Sequence, residues 1–260
     1  MKIGIIGAGN MGGAIARGLA CSALDINVGV ADLSTEKLSA LQEEFPVIAT
    51  SVDNGDVVKD ADVVLLAVKP WLVEPVLKGI APVADFSKSI ILSIAAGITI
   101  EAIRDWLPAG SDAVIFRAIP NTAIAIHQSM TFISHSSNAT ADQIETIKSV
   151  FGALGKAAVI EERLMGAATA LCSCGIAYAM RYVRAATEGG VELGIYPEQS
   201  KEYVLQTLRG AVELLEATGN NPEVEIDKVT TPGGITIKGL NAMEAHGFTN
   251  AVIQGIKSSI

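Results

Sequence analysis

The chain has 260 residues, of which 50% are hydrophobic and 18% are charged, a composition typical of a globular protein rather than a disordered one. Its net charge of −9 argues against nucleic acid as a partner, because contacts with phosphates require clustered Lys and Arg. No apolar run reaches the roughly 18 residues of a membrane span. The three cysteines suggest a reducing, cytoplasmic compartment, and neither they nor the three histidines have the spacing of a metal site.

The first half of the chain is predicted to alternate strands with helices. The predicted strands cover residues 2–6, 26–31, 63–68, 89–94, 113–119 and 159–160. Ser34 is expected to cap the helix after the second strand, and Thr140 to open a capping box with Gln143. This alternation indicates an α/β fold, in which a doubly wound sheet forms a dinucleotide-binding Rossmann domain over residues 1–160.

A glycine-rich loop follows the first predicted strand and opens a helix. Its residues are Gly7, Ala8, Gly9, Asn10, Met11 and Gly12, and Asp32 follows about 20 residues later at the end of the second strand. This context is that of a dinucleotide-binding fingerprint, whose backbone approaches a pyrophosphate at Gly9. Asp32 is expected to accept a hydrogen bond from a ribose 2′-OH, which favours NAD weakly. Ser34 suits a phosphate, so NADP stays open.

The loops after the later strands are predicted to surround a nicotinamide ring. They offer Asn54, Lys69, Ala95, Gly97 and Asn121. No His is placed as a general base, and no Lys lies in the first half of the long helix that follows the sheet. A hydroxy-acid dehydrogenase requires a group that moves the hydroxyl proton. A protonated cyclic imine needs only to be positioned for hydride attack. The absence of an obvious proton-transfer residue therefore favours imine reduction over oxidation of a hydroxy acid.

The second half, residues 161–260, is predicted to be a helical domain. Residues 164–193 are expected to form one long, Ala-rich helix, residues 198–218 a second, and residues 241–260 the closing segment. Because the long helix is apolar on most sides, and about 100 residues cannot bury it easily, a homodimer is expected.

The segment from Thr230 to Leu240 interrupts this helical pattern. Pro232, Gly233 and Gly234 end one helix, and a Gly-Gly turn that opens the next exposes backbone N–H groups to an anion. Thr236 adds one neutral hydroxyl. The segment is therefore either a pocket for a small carboxylate or a plain corner between helices.

In these motifs the chain resembles the pyrroline-5-carboxylate reductase family over nearly its whole length. The glycine loop resembles the family's N-terminal fingerprint, and Thr231–Ile237 its C-terminal signature. Three further loops resemble those of the family: Ala67-Val68-Lys69-Pro70, Ala95-Ala96-Gly97 and Pro120-Asn121-Thr122.

The resemblance implies reduction of 1-pyrroline-5-carboxylate to L-proline, the last step of proline biosynthesis, with NADPH or NADH. It implies that Thr236 hydrogen-bonds the ring nitrogen of the substrate, and that the Thr231–Gly234 turn, above all Gly233 and Gly234, binds the carboxylate. It also implies that Asn54, Ala67, Lys69 and Ala95 line the cofactor site. Similar enzymes dimerise through their helical domains, and some form rings of five dimers.

The chain departs from the family pattern in two places. Cys172-Ser173-Cys174-Gly175-Ile176 stands where the family usually has Ser-Gly-Ser-Gly-Pro, which weakens hydrogen bonding and removes a fixed kink. Ala123 stands where the family usually has Pro. Two rival functions therefore stay open: a β-hydroxy-acid dehydrogenase or another imine reductase on the same fold, and a non-catalytic nucleotide-binding regulator.

Overall fold

The computed structural model describes all 260 residues, which divide into two compact units, Met1–Ser173 and Cys174–Ile260. The first unit is built on one eight-stranded sheet with the order β3-β2-β1-β4-β5-β6-β7-β8. The strands are β1 (Lys2–Ile6), β2 (Asn27–Ala31), β3 (Ala49–Ser51), β4 (Val63–Leu66), β5 (Ile90–Ser93), β6 (Ile115–Ile119), β7 (Ser129–His135) and β8 (Gly155–Val159).

Seven helices of the first unit follow these strands and cover the sheet. They are α1 (Asn10–Ala20), α2 (Thr35–Glu44), α3 (Asn54–Val58), α4 (Val73–Ile80), α5 (Ile100–Trp106), α6 (Ala141–Gly152) and α7 (Met165–Ala168). Ser34 accepts from Lys37 N–H as the cap of α2, and Thr140 forms the predicted capping box with Gln143. Two separate clusters of buried apolar side chains lie on the sheet, as expected for a doubly wound architecture.

The sheet is mostly parallel, but β7 runs antiparallel to β6 and parallel to β8. Strand β7 was not predicted from the sequence. Buried polar side chains interrupt the apolar pattern of β7 at Ser129, Thr131 and Ser134. The three-residue edge strand β3 was also missed. The α/β class and the dinucleotide-binding fold were predicted correctly.

The second unit is helical. It contains α8 (Gly175–Glu192), α9 (Pro197–Thr218), α10 (Pro222–Val229), α11 (Ile235–Ala245) and α12 (Phe248–Lys257). The closing segment 241–260 contains the end of α11 and all of α12, and Gly247 lies between the two helices with a φ of 79°. Within this unit Tyr178 Oη lies 3.3 Å from Gly255 O and also contacts the Ser259 hydroxyl, which fixes α12 against α8.

The long helix predicted over residues 164–193 is not regular throughout. Residues Thr169–Ser173 form a π-helical turn between α7 and α8. The Thr169 hydroxyl donates to Met165 O at 2.7 Å, a contact known to bend helices. The chain therefore departs from α geometry here although Ile176 stands where the family usually has Pro.

Residues 162–192 are long and apolar enough to cross a membrane by length and composition alone, and 17% of the most apolar window is buried. Helices that bury their apolar sides against other protein satisfy the same criterion, so this segment alone is only weak evidence for a membrane span. The predicted domain boundary after residue 160 follows the last strand, whereas the compact units meet at Ser173 and Cys174.

Candidate functional site

The loops predicted to bind a cofactor lie at one edge of the sheet. Strands β1, β4, β5 and β6 are parallel neighbours, so their carboxyl ends open at the same edge. Open α/β sheets bind ligands at this edge. The four loops that follow carry the predicted residues Gly7–Gly12, Ala67–Pro70, Ala95–Gly97 and Asn121.

The glycine loop packs tightly against the loop after β4. A Cβ on Gly7 would lie 2.6 Å from Ala67 O, and Gly7 has a φ of 108°. A Cβ on Gly12 would lie 2.0 Å from Gly7 O and 2.8 Å from the Ala67 Cβ. The backbone turns so tightly here that a side chain would clash at either position, so only glycine fits at both.

Gly9 is different, because a Cβ at this position would meet no atom within 4 Å. Gly9 is the N-cap of α1, with no side-chain cap and no acidic residue in the first turn. The first N–H groups of α1 therefore face open space without a partner from a side chain. This arrangement fits the pyrophosphate of a dinucleotide, for which Gly9 leaves the room that any other residue would occupy.

Asp32 lies at the end of β2 beside the glycine loop. Its Oδ2 accepts a hydrogen bond from Ala8 N–H at 2.7 Å, and its Oδ1 accepts one from Ser34 N–H at 2.9 Å. The structure thus brings the predicted Ala8, Asp32 and Ser34 together. Both oxygens of Asp32 accept hydrogen bonds from the protein backbone. The sequence predicted only a hydrogen bond to a ribose hydroxyl.

The other cofactor-loop residues differ in position and exposure. Ala67 and Val68 are partly buried, Lys69 is exposed and Pro70 opens a short 3-10 turn. Ala95 is buried, whereas Ala96 and Gly97 are exposed, and Gly97 has a φ of 77°.

Asn121 is buried, and its Oδ1 accepts from Ala123 N–H at 3.0 Å. Asn54 corrects the sequence analysis in one respect. It follows β3, at the opposite end of the sheet from β6, and begins α3. It therefore lies away from the loops after β4, β5 and β6, with which it had been grouped.

Two cationic residues beside the glycine loop were not assigned to the site from the sequence. Arg17 lies one helical turn after Gly13 on α1, and Lys37 lies on α2. Both line a cavity of about 280 Å³ together with the glycine loop. Gly13 and Arg17 are four residues apart on α1 and therefore lie on the same side of the helix. This spacing was the feature of the sequence that could have placed Arg17 beside the glycine loop.

In the second unit, the Thr231–Gly234 turn opens α11 as predicted. Gly233 has a φ of 73°, and Gly234 N–H donates to Thr231 O at 2.9 Å. Gly234 is the N-cap of α11, with no side-chain cap and no acidic residue in the first turn. Thr236, in that first turn, is exposed and its hydroxyl has no partner. The start of α11 thus offers free N–H groups and one free hydroxyl.

Cys172 lies in the π-helical turn at the end of the first unit. Burial raises the pKa of the Cys172 thiol above its ordinary value. Its backbone oxygen lies 3.5 Å from Asn121 Nδ2, which connects the turn to the loop after β6. All three cysteines are free thiols.

Two protein families match this chain. Residues 162–260 match the family described as pyrroline-5-carboxylate reductase dimerisation. Residues 2–97 match the family described as NADP oxidoreductase, coenzyme F420-dependent. The second match covers the strands and helices around the glycine loop.

Several known proteins are similar over the full chain. "Pyrroline-5-carboxylate reductase 2" of Dictyostelium discoideum is 36% identical over 99% of this chain and 90% of its own length. "Pyrroline-5-carboxylate reductase 1" of the same organism is 40% identical over 99% of this chain, which spans 48% of that longer protein. The crystal structure of the Plasmodium falciparum pyrroline carboxylate reductase with NADP bound is 27% identical, covers 100% of this chain and 95% of its own, and has a TM-score of 0.89.

Proposed function

The chain belongs to the pyrroline-5-carboxylate reductase family, and we propose that its two uncapped glycine helix starts, at Gly9 and Gly234, bind the cofactor and the substrate. It is an oxidoreductase that reduces 1-pyrroline-5-carboxylate to L-proline, the last step of proline biosynthesis. When bound, reduced NADP or NAD supplies the hydride that adds to the imine carbon. The chain's own residues bind, orient and shield the reactants.

The start of α11 carries this proposal. Gly233 and Gly234 leave the first N–H groups of the helix free, and no acidic residue in the first turn repels an anion. A carboxylate of the substrate fits this position, with Thr231 on the other side of the turn. The free hydroxyl of Thr236 accepts a hydrogen bond from the N–H of the protonated ring nitrogen.

Positioning is the main contribution required of the protein. The imine nitrogen already carries a proton near neutral pH, so no side chain has to supply one during hydride addition. Holding two reactants in the correct geometry contributes up to about 7–11 kcal/mol in favourable cases. Residues 164–182 contain neither His nor Lys, which is consistent with this chemistry.

The cofactor is proposed to lie along the loops after β1, β4, β5 and β6, with its adenosine half extending to the loops after β2 and β3. Gly7, Gly9 and Gly12 form the pyrophosphate cradle with Ala8, Asn10 and Met11. The remaining residues of this proposal are Asp32, Ser34, Asn54, Ala67, Val68, Lys69, Pro70, Ala95, Ala96, Gly97 and Asn121. The carboxyl-end edge of the parallel strands supports this assignment, because ligands of such sheets bind there.

The helical half is a dimerisation domain, so the protein is a homo-oligomer. We assign the boundary of this domain to residue 161, and we propose the cytoplasm as its compartment. Apolar side chains exposed on α8 and α9, such as Met180, Val191 and Leu205, support burial against a second copy. Assembly of five dimers into a decamer is the larger state that we propose.

One assay tests the activity. The purified protein is mixed with 1-pyrroline-5-carboxylate and either NADPH or NADH, and cofactor oxidation is followed by absorbance. We expect oxidation that depends on the imine and yields proline. A β-hydroxy-acid dehydrogenase would instead turn over a β-hydroxy acid and not the imine. A regulator would bind the cofactor without oxidising it.

A further inference from the structure

Asn54 and Gly55 form the only Asn-Gly dipeptide of the chain, and they begin the helix α3. Asn is chemically labile, because the backbone nitrogen that follows it attacks the side-chain amide carbon. A following glycine speeds this reaction, since it has no side chain to hinder the attack and its backbone is flexible. Both residues are partly exposed, so water reaches them.

Packing at the start of α3 favours glycine at position 55. A Cβ on Gly55 would lie 3.1 Å from Asp53 Oδ1 and 3.4 Å from Val83 Cγ2. The first of these distances is shorter than an ordinary contact, so a larger residue would push the Asp53 carboxylate out of place. The labile dipeptide is therefore also the one that the local packing requires.

The Asp53 carboxylate holds the nitrogen that would attack. Asp53 is the N-cap of α3, and its Oδ1 accepts a hydrogen bond from Gly55 N–H at 2.8 Å. This N–H lies in the first turn, where the helix itself offers no acceptor. The nitrogen must lose its proton before it attacks, and a neighbouring negative charge disfavours the resulting anion. Because α3 has only five residues, its first turn opens easily unless the cap keeps it closed.

We propose that Asn54 is a site of spontaneous deamidation that Asp53 holds in check, and that its conversion lowers the affinity for the cofactor. In this reaction the Gly55 nitrogen gives its proton to a solvent base and bonds to Asn54 Cγ. The bond between Cγ and Nδ2 breaks, and Nδ2 leaves as ammonia. Water then opens the cyclic imide at either of its two carbonyl carbons, which leaves an aspartate or an isoaspartate at this position. No group is oxidised or reduced.

The conversion adds a negative charge at the carboxyl end of β3. Because β3 pairs in parallel with β2, position 54 lies at the same edge of the sheet as the glycine loop. The effect on affinity rests on the proposed function, in which the adenosine half of the cofactor extends to this edge. The new carboxylate repels the phosphates of the cofactor, so the converted protein binds it more weakly.

The first test follows deamidation in the full-length protein without cofactor, by peptide mapping and mass spectrometry during incubation in mildly alkaline buffer. We expect Asp53→Ala to convert Asn54 about tenfold faster than the wild type, and Asp53→Ser, whose hydroxyl still accepts from the N–H, to fall between them. Wild-type protein unfolded in concentrated urea should convert at least as fast as Asp53→Ala.

Asp56→Ala is the matched control for this test. Asp56 is an exposed acid of the same helix, but its Oδ2 accepts from the Ser51 hydroxyl at 2.7 Å rather than from Gly55. Its rate should stay within about twofold of the wild type. Equal acceleration by Asp56→Ala and Asp53→Ala, an unchanged rate in Asp53→Ala, or no conversion even in urea would overturn the proposal.

The second test measures the effect of the new charge on cofactor affinity, by titration with NADPH and no imine. Asn54→Asp reproduces the charged product, and Asn54→Ser is a neutral variant that also lacks the amide. We expect Asn54→Asp to bind NADPH at least about fivefold more weakly than Asn54→Ser, and added salt to narrow this difference. Equal affinities of the two variants would overturn the effect on the cofactor. Because the first test needs neither cofactor nor imine, failure of the reductase assay leaves its result unchanged.

Discussion

Arg117 Nη1 lies 2.7 Å from Glu162 Oε1, and the Arg117 side chain is only 7% exposed. The same oxygen of Glu162 accepts from Ile100 N–H at 2.8 Å, at the start of α5. One carboxylate thus connects β6, the loop that leads from β5 into α5, and the segment after β8. Arg117 Nε is buried without a partner, so the guanidinium depends on Glu162 for compensation of its charge.

Glu162→Ala should therefore destabilise the protein. Removing one partner of a buried ion pair costs about 3–5 kcal/mol, and we expect about 2 kcal/mol here because Glu162 is 34% exposed. Urea unfolding at fixed protein concentration measures the loss. The matched control is Glu161→Ala, since Glu161 pairs with Arg163 on the surface at 2.6 Å. That change should cost less than about 0.5 kcal/mol, and equal costs for the two variants would contradict the role of Glu162.

Two glycines of the nucleotide-binding loop should respond differently to alanine. A methyl at Gly12 meets the Gly7 carbonyl at 2.0 Å, so Gly12→Ala should lower the free energy of unfolding by about 2 kcal/mol or more. A methyl at Gly9 meets no atom, and its φ of −70° suits alanine. Gly9→Ala should therefore cost only about 0.5 kcal/mol.

The same Gly9→Ala variant should nevertheless bind NADPH at least tenfold more weakly, because its methyl enters the space in front of the helix N–H groups. Titration followed by NADPH fluorescence, alongside urea unfolding, distinguishes the two effects. Normal cofactor binding by folded Gly9→Ala would exclude the pyrophosphate from this position.

Local patterns were enough to predict the parts of the fold that depend on short stretches of chain. The apolar run of β4, the glycine loop before α1 and the turn at Gly233 each encode their geometry within a few residues. Strand β7 was missed because some of the side chains that it buries are polar, at Ser129 and Thr131. The sequence therefore lacks the buried apolar side chains by which a strand is usually identified.

Long-range contacts explain what the sequence did not reveal about the site. The partners of Glu162 lie 45 and 62 residues away, at Arg117 and Ile100, so no spacing motif indicates them. The occupation of both Asp32 oxygens depends on how the glycine loop folds back onto β2, 24 residues away at Ala8. The fingerprint identified Asp32 as important but not which atoms it contacts.

The Cys172 thiol should react slowly with alkylating reagents. Burial raises its pKa, which lowers the fraction of thiolate at a given pH, and the side chain is less accessible than that of the exposed Cys21. Because the thiolate is the reactive form, the rate at Cys172 should stay low near pH 8 and rise as the pH increases towards the raised pKa. Peptide mapping after timed iodoacetamide treatment measures both sites. Faster labelling of Cys172 than of Cys21 would contradict this environment.

Thr236 provides the sharpest test of the substrate site. Thr236→Val removes the hydroxyl while it keeps the volume and branching of the side chain, and the position is exposed in the first turn of α11. Loss of one hydrogen bond of about 1–2 kcal/mol should lower kcat/KM for the imine roughly tenfold. The dissociation constant for NADPH should not change. Thr236→Ser keeps the hydroxyl and should retain most activity, so a similar loss in both variants would assign the effect to packing rather than to the hydroxyl.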